Sequence, residues 1–195
     1  MTLNEEQVTV HPVTPDRWAD LEALFGPASG CGGCWCMWWR LKRSEFTAQC
    51  GEGNRLALQQ LVEGGQEPGL LAYLAGAPVG WVAVGPRSAY PVLDRSPHLK
   101  PVDEAPVWSV VCFYIAPRYR RRGLSARLLR AAVDYARAHG ARIVEGYPVL
   151  EGKGRGDMSI FTGVASTFAA AGFQQAAYRG GRRAVWRLEI SEGEA

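Results

Sequence analysis

The chain has 195 residues, 22 Lys+Arg against 19 Asp+Glu and five cysteines, for a formal net charge of +3. A chain of that length buries roughly 70 % of its unfolded surface, so a core needs no disulfide or metal staple. Its 47 % apolar and 21 % charged fractions exclude a disordered polymer. No apolar run approaches the ~20 residues that cross a bilayer, and Met1 to Glu6 carry two acids and no signal-peptide core. A cytoplasmic protein with reduced thiols is the expectation. The basic residues are 19 Arg and only 3 Lys, and a surplus of +3 does not point to nucleic acid.

In chain order, Val8 to Val13 alternates like a short strand. Thr14-Pro15-Asp16 opens a helix with Trp18, Leu21, Leu24 and Phe25 on one face, and Gly26-Pro27 stops it. A Gly/Cys/Trp-rich stretch runs from Cys31 to Arg40, and Asn54 to Glu63 reads as a helix. Leu70 to Leu74 and Val79 to Val84 read as a hairpin joined by Ala75-Gly76-Ala77-Pro78. Residues 85–106 read as a long loop, of the kind that is usually functional or disordered.

Val107 to Ile115 is a near-continuous apolar strand, which implies burial on both faces. Leu124 to His139 is a helix with Leu124, Leu128, Ala131, Ala132 and Tyr135 on one side, followed by a strand over Ala141 to Val149. Strand, helix and strand with short joints make a βαβ unit, so those two strands should be parallel. A Gly-rich loop at Gly152 to Gly156, a short helix at Ser166 to Ala171 and strands near Gln174–Tyr178 and Arg183–Ile190 complete the chain. One domain over 1–195 is expected, with an N-terminal strand and helices over 8–65 and the sheet over 66–195.

The most informative segment is Ile115-Ala116-Pro117-Arg118-Tyr119-Arg120-Arg121-Arg122-Gly123-Leu124-Ser125-Ala126. A buried strand ends, a basic loop turns, and a helix begins at Gly123. A helix N-terminus carries about +0.5 charge and unpaired N–H groups. Gly123 has no Cβ, so a ligand can approach the backbone closely. With Arg120, Arg121 and Arg122 this is a site for a phosphate or pyrophosphate. The arginines lie on one short loop without aromatic interleaving, which argues against a nucleic-acid surface.

This segment resembles the acetyl-CoA-binding motif of the GNAT superfamily of N-acetyltransferases. The match is Ile115-x-Pro117, then Arg120-x-x-Gly123-x-Ser125, with Ser125 where the family has Gly or Ala. Ala171-Gly172-Phe173 resembles the Gly-Phe that closes the family's last helix. The resemblance implies an α/β (α+β) fold. Its central sheet would be mixed and mostly antiparallel, with a parallel, splayed strand pair and flanking helices. It implies acetyl-CoA as cosubstrate, with the backbone of Phe113, Tyr114 and Ile115 meeting the pantetheine. The N–H groups from Arg121 to Ala126, Leu124 included, would hold the pyrophosphate.

An alkyl amine with a pKa near ~10 is protonated at neutral pH, so a general base helps its attack. Glu145 is the candidate by resemblance, with Asp103, Glu104 and Asp157 as weaker alternatives. The tyrosine that often protonates the leaving thiolate falls on Phe168, and an asparagine the family often carries falls on Phe161. Tyr147, Ser166, Thr167 or solvent would have to supply that proton.

Cys31-Gly-Gly-Cys34-Trp35-Cys36-Met37-Trp38-Trp39-Arg40 is the least ordinary stretch. Cys31, Cys34, Cys36 and Cys50 could form a four-thiolate metal set, but paired C-x-x-C knuckles are missing. A redox or nucleophilic cysteine is a further alternative, with no histidine nearby in sequence. Trp35, Trp38 and Trp39 would share one face if helical, and are expected to line the acceptor pocket; plain packing is the bland alternative. Tryptophan faces suit an acceptor with an apolar or cationic group. The sequence therefore points to an N-acetyltransferase for a small-molecule or peptide amine, with no metal, nucleic acid or membrane partner and a homodimer left open. A non-catalytic acyl-CoA sensor and a thiolate metal module are the competing functions.

Overall fold

The structure is a computed structural model that describes residues 8–26, 32–150 and 160–190. The strands are β1 (Val8–Pro12), β2 (Gly69–Leu74), β3 (Ala77–Pro86), β4 (Trp108–Ile115), β5 (Ile143–Gly146), β6 (Gln174–Ala177) and β7 (Val185–Glu189). The α-helices are α1 (Trp18–Phe25), α2 (Arg43–Ala48), α3 (Glu52–Glu63), α4 (Val92–Arg95), α5 (Leu124–Ala138) and α6 (Ala165–Ala170). The strands form one sheet in the order β1-β2-β3-β4-β5-β7-β6. All neighbours are antiparallel except β4 and β5. The expected mixed sheet with a parallel pair is what the chain forms.

The apolar runs of β2 and β3 close through two residues, Ala75 and Gly76, both at positive φ. That geometry matches the twist of a hairpin and makes the turn shorter than the four residues expected. Strands β2, β3 and β4 are nearly continuous in burial because helices cover both faces. On one face α5 lays Leu124, Leu128, Leu129, Ala132, Val133 and Ala136 against the sheet. Full burial of a side chain such as Leu128 contributes about 1.5–3 kcal/mol. On the other face α1, α3, α4 and the tryptophan-rich loop form a second core around Trp81 and Tyr90.

Three expectations need correcting. Residues 85–106 are not a featureless loop: β3 runs to Pro86, a 3-10 turn follows at Arg87–Ala89, then α4. Tyr90 and Leu93 anchor this segment, both fully buried. The strand expected over Ala141 to Val149 shrinks to Ile143–Gly146. Pro148, just beyond it, has no N–H to give a ladder, and Val149 makes only isolated bridges to Val164 and Arg183. Helix α2 was not legible because it buries no residue fully and so leaves no apolar period. The Gly152 to Gly156 loop, Asp157 and Cys31 lie outside the described residues.

The parallel pairing is brief. It joins Trp108, Ser109 and Val110 to Val144, Glu145 and Gly146, and β4 then continues to Ile115 paired with β3 on one side. A shift of register against β3 at Ala83/Val84 marks the place where β4 bends away. The strands therefore splay, leaving one edge of β4 without a strand partner from Val111 to Ile115.

Candidate active site

The splayed edge is covered by the chain itself. The Trp39 indole Nε1 donates to the Val111 carbonyl at 3.1 Å. The Phe113 N–H donates to the Phe161 carbonyl at 2.6 Å. Arg120 Nε donates to the Ile115 carbonyl at 3.1 Å. Phe113 and Ile115, expected to meet a pantetheine arm, thus each carry an intramolecular partner. An incoming amide or thioester has to exchange with them to add to this edge.

At the end of β4 the chain makes a 3-10 turn over Pro117–Tyr119, and Arg121 takes φ +58. Gly123 caps α5 at φ +85 with no side-chain cap bond. The first intrahelical bond from this cap runs from the Arg127 N–H to the Gly123 carbonyl. The preceding N–H groups, Leu124 to Ala126, have no helical acceptor. A Cβ built on Gly123 meets nothing within 4 Å, so the space in front of the helix is open. No acid sits in the first turn of α5. Arg118 and Arg122 lie over the Tyr119 ring at 4.8 and 5.9 Å. Backbone donors and a helix dipole with arginines beside them are an arrangement able to hold a phosphate. Leu124 contributes only backbone, since its side chain is buried beneath the helix.

Beside β4, on the face away from α5, lies a cavity of about 300 Å³. Its aromatic wall is Phe25, Trp35, Trp38, Phe46, Tyr114 and Phe161, and its sulfurs are Cys34, Cys36 and Cys112. Trp35 stacks on Trp18 with ring centroids 6.0 Å apart and meets Phe25 edge-on at 5.3 Å. Trp38 meets Phe46 edge-on and carries the Arg43 guanidinium 3.8 Å above its ring. The three tryptophans do not share one helical face. Only Met37–Trp39 is helical, as a single 3-10 turn, and Trp35 and Cys36 precede it at φ +45 and +52. Trp39 does not line the cavity; it packs in the core and caps β4. Two consecutive non-glycine residues in the left-handed region cost of order 1–3 kcal/mol each.

Gly33 holds this loop. Its bare Cα abuts Gly51 so closely that a Cβ would lie 2.5 Å from the Gly51 nitrogen, and its carbonyl accepts from Gly51 and from the buried Asn54 side chain. Among the described residues there is no cluster of three or more His, Cys, Asp or Glu able to hold a metal.

Glu145, expected as a general base, does not line the cavity. It is 0 % exposed and lies opposite Ser109 in the parallel pair. Cys112 is three residues further along β4, roughly 10 Å at strand rise. Glu145 Oε1 accepts from Arg187 Nε at 2.8 Å. Its Oε2 accepts from Arg87 Nη1 at 2.9 Å and from the Tyr147 hydroxyl at 2.8 Å. With the Tyr147 proton committed to Glu145, the Ser109 hydroxyl donates to Tyr147 at 2.8 Å. Arg87 also holds Asp94, and Arg187 also holds Asp103. Burial, then the neighbouring carboxylate, pushes the Tyr147 phenol well above its usual range.

Phe168, at the place of the family's tyrosine, is 0 % exposed among Phe113, Phe173 and Gly146. No acid stands there. Sequence reasoning missed Arg87, Arg187 and Cys112, whose partners are 58, 42 and 76 residues away.

Residues 35–147 match a family model described as Acetyltransferase (GNAT) family. The match spans more than half of the chain, and the chain belongs to that family of acetyl-CoA-dependent acetyltransferases. No curated protein matches. The fold is shared with PaiA N-acetyltransferase of Thermoplasma acidophilum in complex with coenzyme A, at 11 % identity, TM-score 0.54 and coverage of 94 % of this chain and 99 % of that one. An acetyltransferase of Listeria monocytogenes gives 12 % identity, TM-score 0.57 and 94 % and 95 % coverage. An agmatine N-acetyltransferase gives 14 % identity, TM-score 0.54 and 94 % and 100 % coverage. At such identities these neighbours speak for the fold. No helix among the described residues is long and apolar enough to cross a membrane.

Proposed function

We propose that the chain acetylates a small primary amine carried on an aromatic or apolar body, taken in the cavity beside β4. The observation that supports this most is the placement of two unlike sites along one strand edge. A helix start without a side-chain cap follows the Ile115 end, and an aromatic cavity opens at Cys112 and Tyr114. Bound acetyl-CoA supplies an activated thioester and a thiolate with a pKa near ~8.5 as leaving group. The Gly123 to Ala126 backbone, with Arg120, Arg121 and Arg122, holds its phosphates. The Phe113 N–H, once released by Phe161, is a backbone donor between the cavity-lining Cys112 and Tyr114.

Among the described residues no carboxylate or histidine lines the cavity. Deprotonation of the acceptor is then favoured by the aromatic wall itself. Full desolvation lowers an amine's pKa by up to ~3–5 units, or about 4 kcal/mol and more. Cation–π attraction to the rings returns only about 0.5–2 kcal/mol. Desolvation wins, and the neutral nucleophile is the form the cavity keeps. Glu145, with its carboxylate oxygens occupied, acts as a positioning residue that fixes β4 against β5. The agmatine enzyme among the structural neighbours shows that this fold accommodates small amines.

Release of free CoA across an amine panel tests this. An arylalkylamine should give a kcat/KM at least about tenfold above an aliphatic diamine, the gap that 1.4 kcal/mol of apolar contact provides. Trp38→Ala should raise KM for the arylalkylamine with kcat little changed. Preference for a diamine or an amino acid would refute the acceptor class.

A further inference from the structure

Cys36 and Cys112 come together across 76 residues of sequence, with their sulfurs 3.4 Å apart. They are 8 % and 5 % exposed, and what surface they have opens into the cavity. The Cys36 sulfur also accepts from the indole Nε1 of the fully buried Trp81 at 3.1 Å. Arg40, stacked 4.5 Å over the Tyr90 ring, adds positive charge nearby. The bond with Cys112, then the Trp81 N–H and the Arg40 charge, hold the Cys36 thiol below its ordinary range despite burial. No histidine is involved, and the partner sulfur lies 76 residues away, which is why the sequence left a redox cysteine only as an alternative. The left-handed backbone at Trp35 and Cys36 is the local strain that aims Cys36 at β4. Neither sulfur has a part in holding phosphate or in acetyl transfer as derived above.

We propose that Cys36 and Cys112 form a reactive thiol pair that a hydroperoxide converts into a disulfide on the wall of the cavity. The Cys36 thiolate attacks one peroxide oxygen. The O–O bond breaks, and hydroxide or alkoxide leaves with the electron pair and takes a proton from water. Cys36 is then a sulfenic acid. Cys112, its proton given to solvent, attacks the Cys36 sulfur. The S–S bond forms, the S–O bond breaks, and hydroxide leaves to become water. Two thiols have lost two electrons and the peroxide has gained them. The sulfurs need to close from 3.4 Å to a bond of about 2 Å, which side-chain rotation at two adjacent walls supplies. The bridge ties the tryptophan loop to β4 and reshapes the acceptor cavity, so acetyl transfer falls until a dithiol reductant restores it.

The full chain treated with stoichiometric hydrogen peroxide tests this without reference to any acceptor, so failure of the acceptor reading leaves it intact. Intact mass should drop by about two mass units, and tandem mass spectrometry should place the link between Cys36 and Cys112. Exposed Cys50 is the internal control. Cys36 should be consumed at least about tenfold faster than Cys50, as expected of a stabilised thiolate. Cys112→Ser should leave a sulfenic acid on Cys36 that dimedone captures, and Trp81→Phe should slow alkylation of Cys36. A link that joins Cys34 to either sulfur, or oxidation of Cys50 ahead of Cys36, would overturn the proposal.

Discussion

Glu145→Gln separates a base from a buried anchor. The substitution keeps shape but replaces one carboxylate oxygen with an amide donor facing a guanidinium. Arg87 and Arg187, whose side chains are only 11 % and 13 % exposed, then lose their shared counter-charge. Breaking a buried ion pair costs about 3–5 kcal/mol. Both arginines retain an exposed acid, Asp94 and Asp103, so the lower end applies. At about 3 kcal/mol the folding equilibrium moves by roughly two decades, and with a urea m-value near 2 kcal/mol/M the midpoint falls by about 1.5 M. Urea unfolding of the two proteins measures this. The kcat/KM pH profile of the variant, taken where it is folded, should keep the parental shape at lower amplitude. A midpoint within about 0.3 M of the parent, which at that m-value is only about 0.6 kcal/mol, or loss of the alkaline limb of the profile, would refute the anchoring role and return Glu145 to the chemistry.

Gly123→Ala should cost only about 1–2 kcal/mol of stability, because the new Cβ meets no atom and pays only for the left-handed backbone. It should weaken acetyl-CoA binding at least about tenfold, since that Cβ stands where the phosphates approach; calorimetric titration of coenzyme A reads it, and unchanged affinity would remove the cradle. Alkaline stability follows from the buried phenols. Burial raises Tyr147 well above its ordinary value and Tyr90 to about 12. Above the unfolded value near ~10 the folded state keeps protons the unfolded chain has released, so stability is full below pH ~10 and falls above it. The slope is about 1.4 kcal/mol per pH unit for each such tyrosine. Urea midpoints should drop between pH 8 and 10.5, and Tyr147→Phe should lose part of that drop; equal midpoints for the parent at both values would contradict it.

The strand-loop-helix from Ile115 to Ala126 was legible because its chemistry is local. A helix start, a glycine and three arginines within a few residues make the same open, positively charged helix end wherever the strand lies. The long amphipathic helix and the hairpin strands were legible for the same reason, since a period is a property of neighbours in sequence. Glu145 was not. Nothing in sequence marks that Arg87 and Arg187 converge on it, and only the pairing of β4, β5 and β7 brings them there. The tryptophans show the limit most plainly. Their spacing suits a helix, but Gly33 packs against Gly51 and turns Trp35 and Cys36 left-handed before the helical turn begins.

The sequence by itself determined the kind of protein: its sheet and helices, and the basic, glycine-capped helix start at Gly123. The tertiary structure decided the chemistry around that site. It closed the splayed edge with Trp39, Phe161 and Arg120, lined the cavity with aromatic rings and sulfurs, sealed Glu145 between arginines and set two distant thiols side by side. The physical reason is range. Backbone donors, dipoles and periodicity act within a few residues, whereas charge pairing, desolvation and sulfur contacts depend on which distant segments the sheet places within a few ångströms.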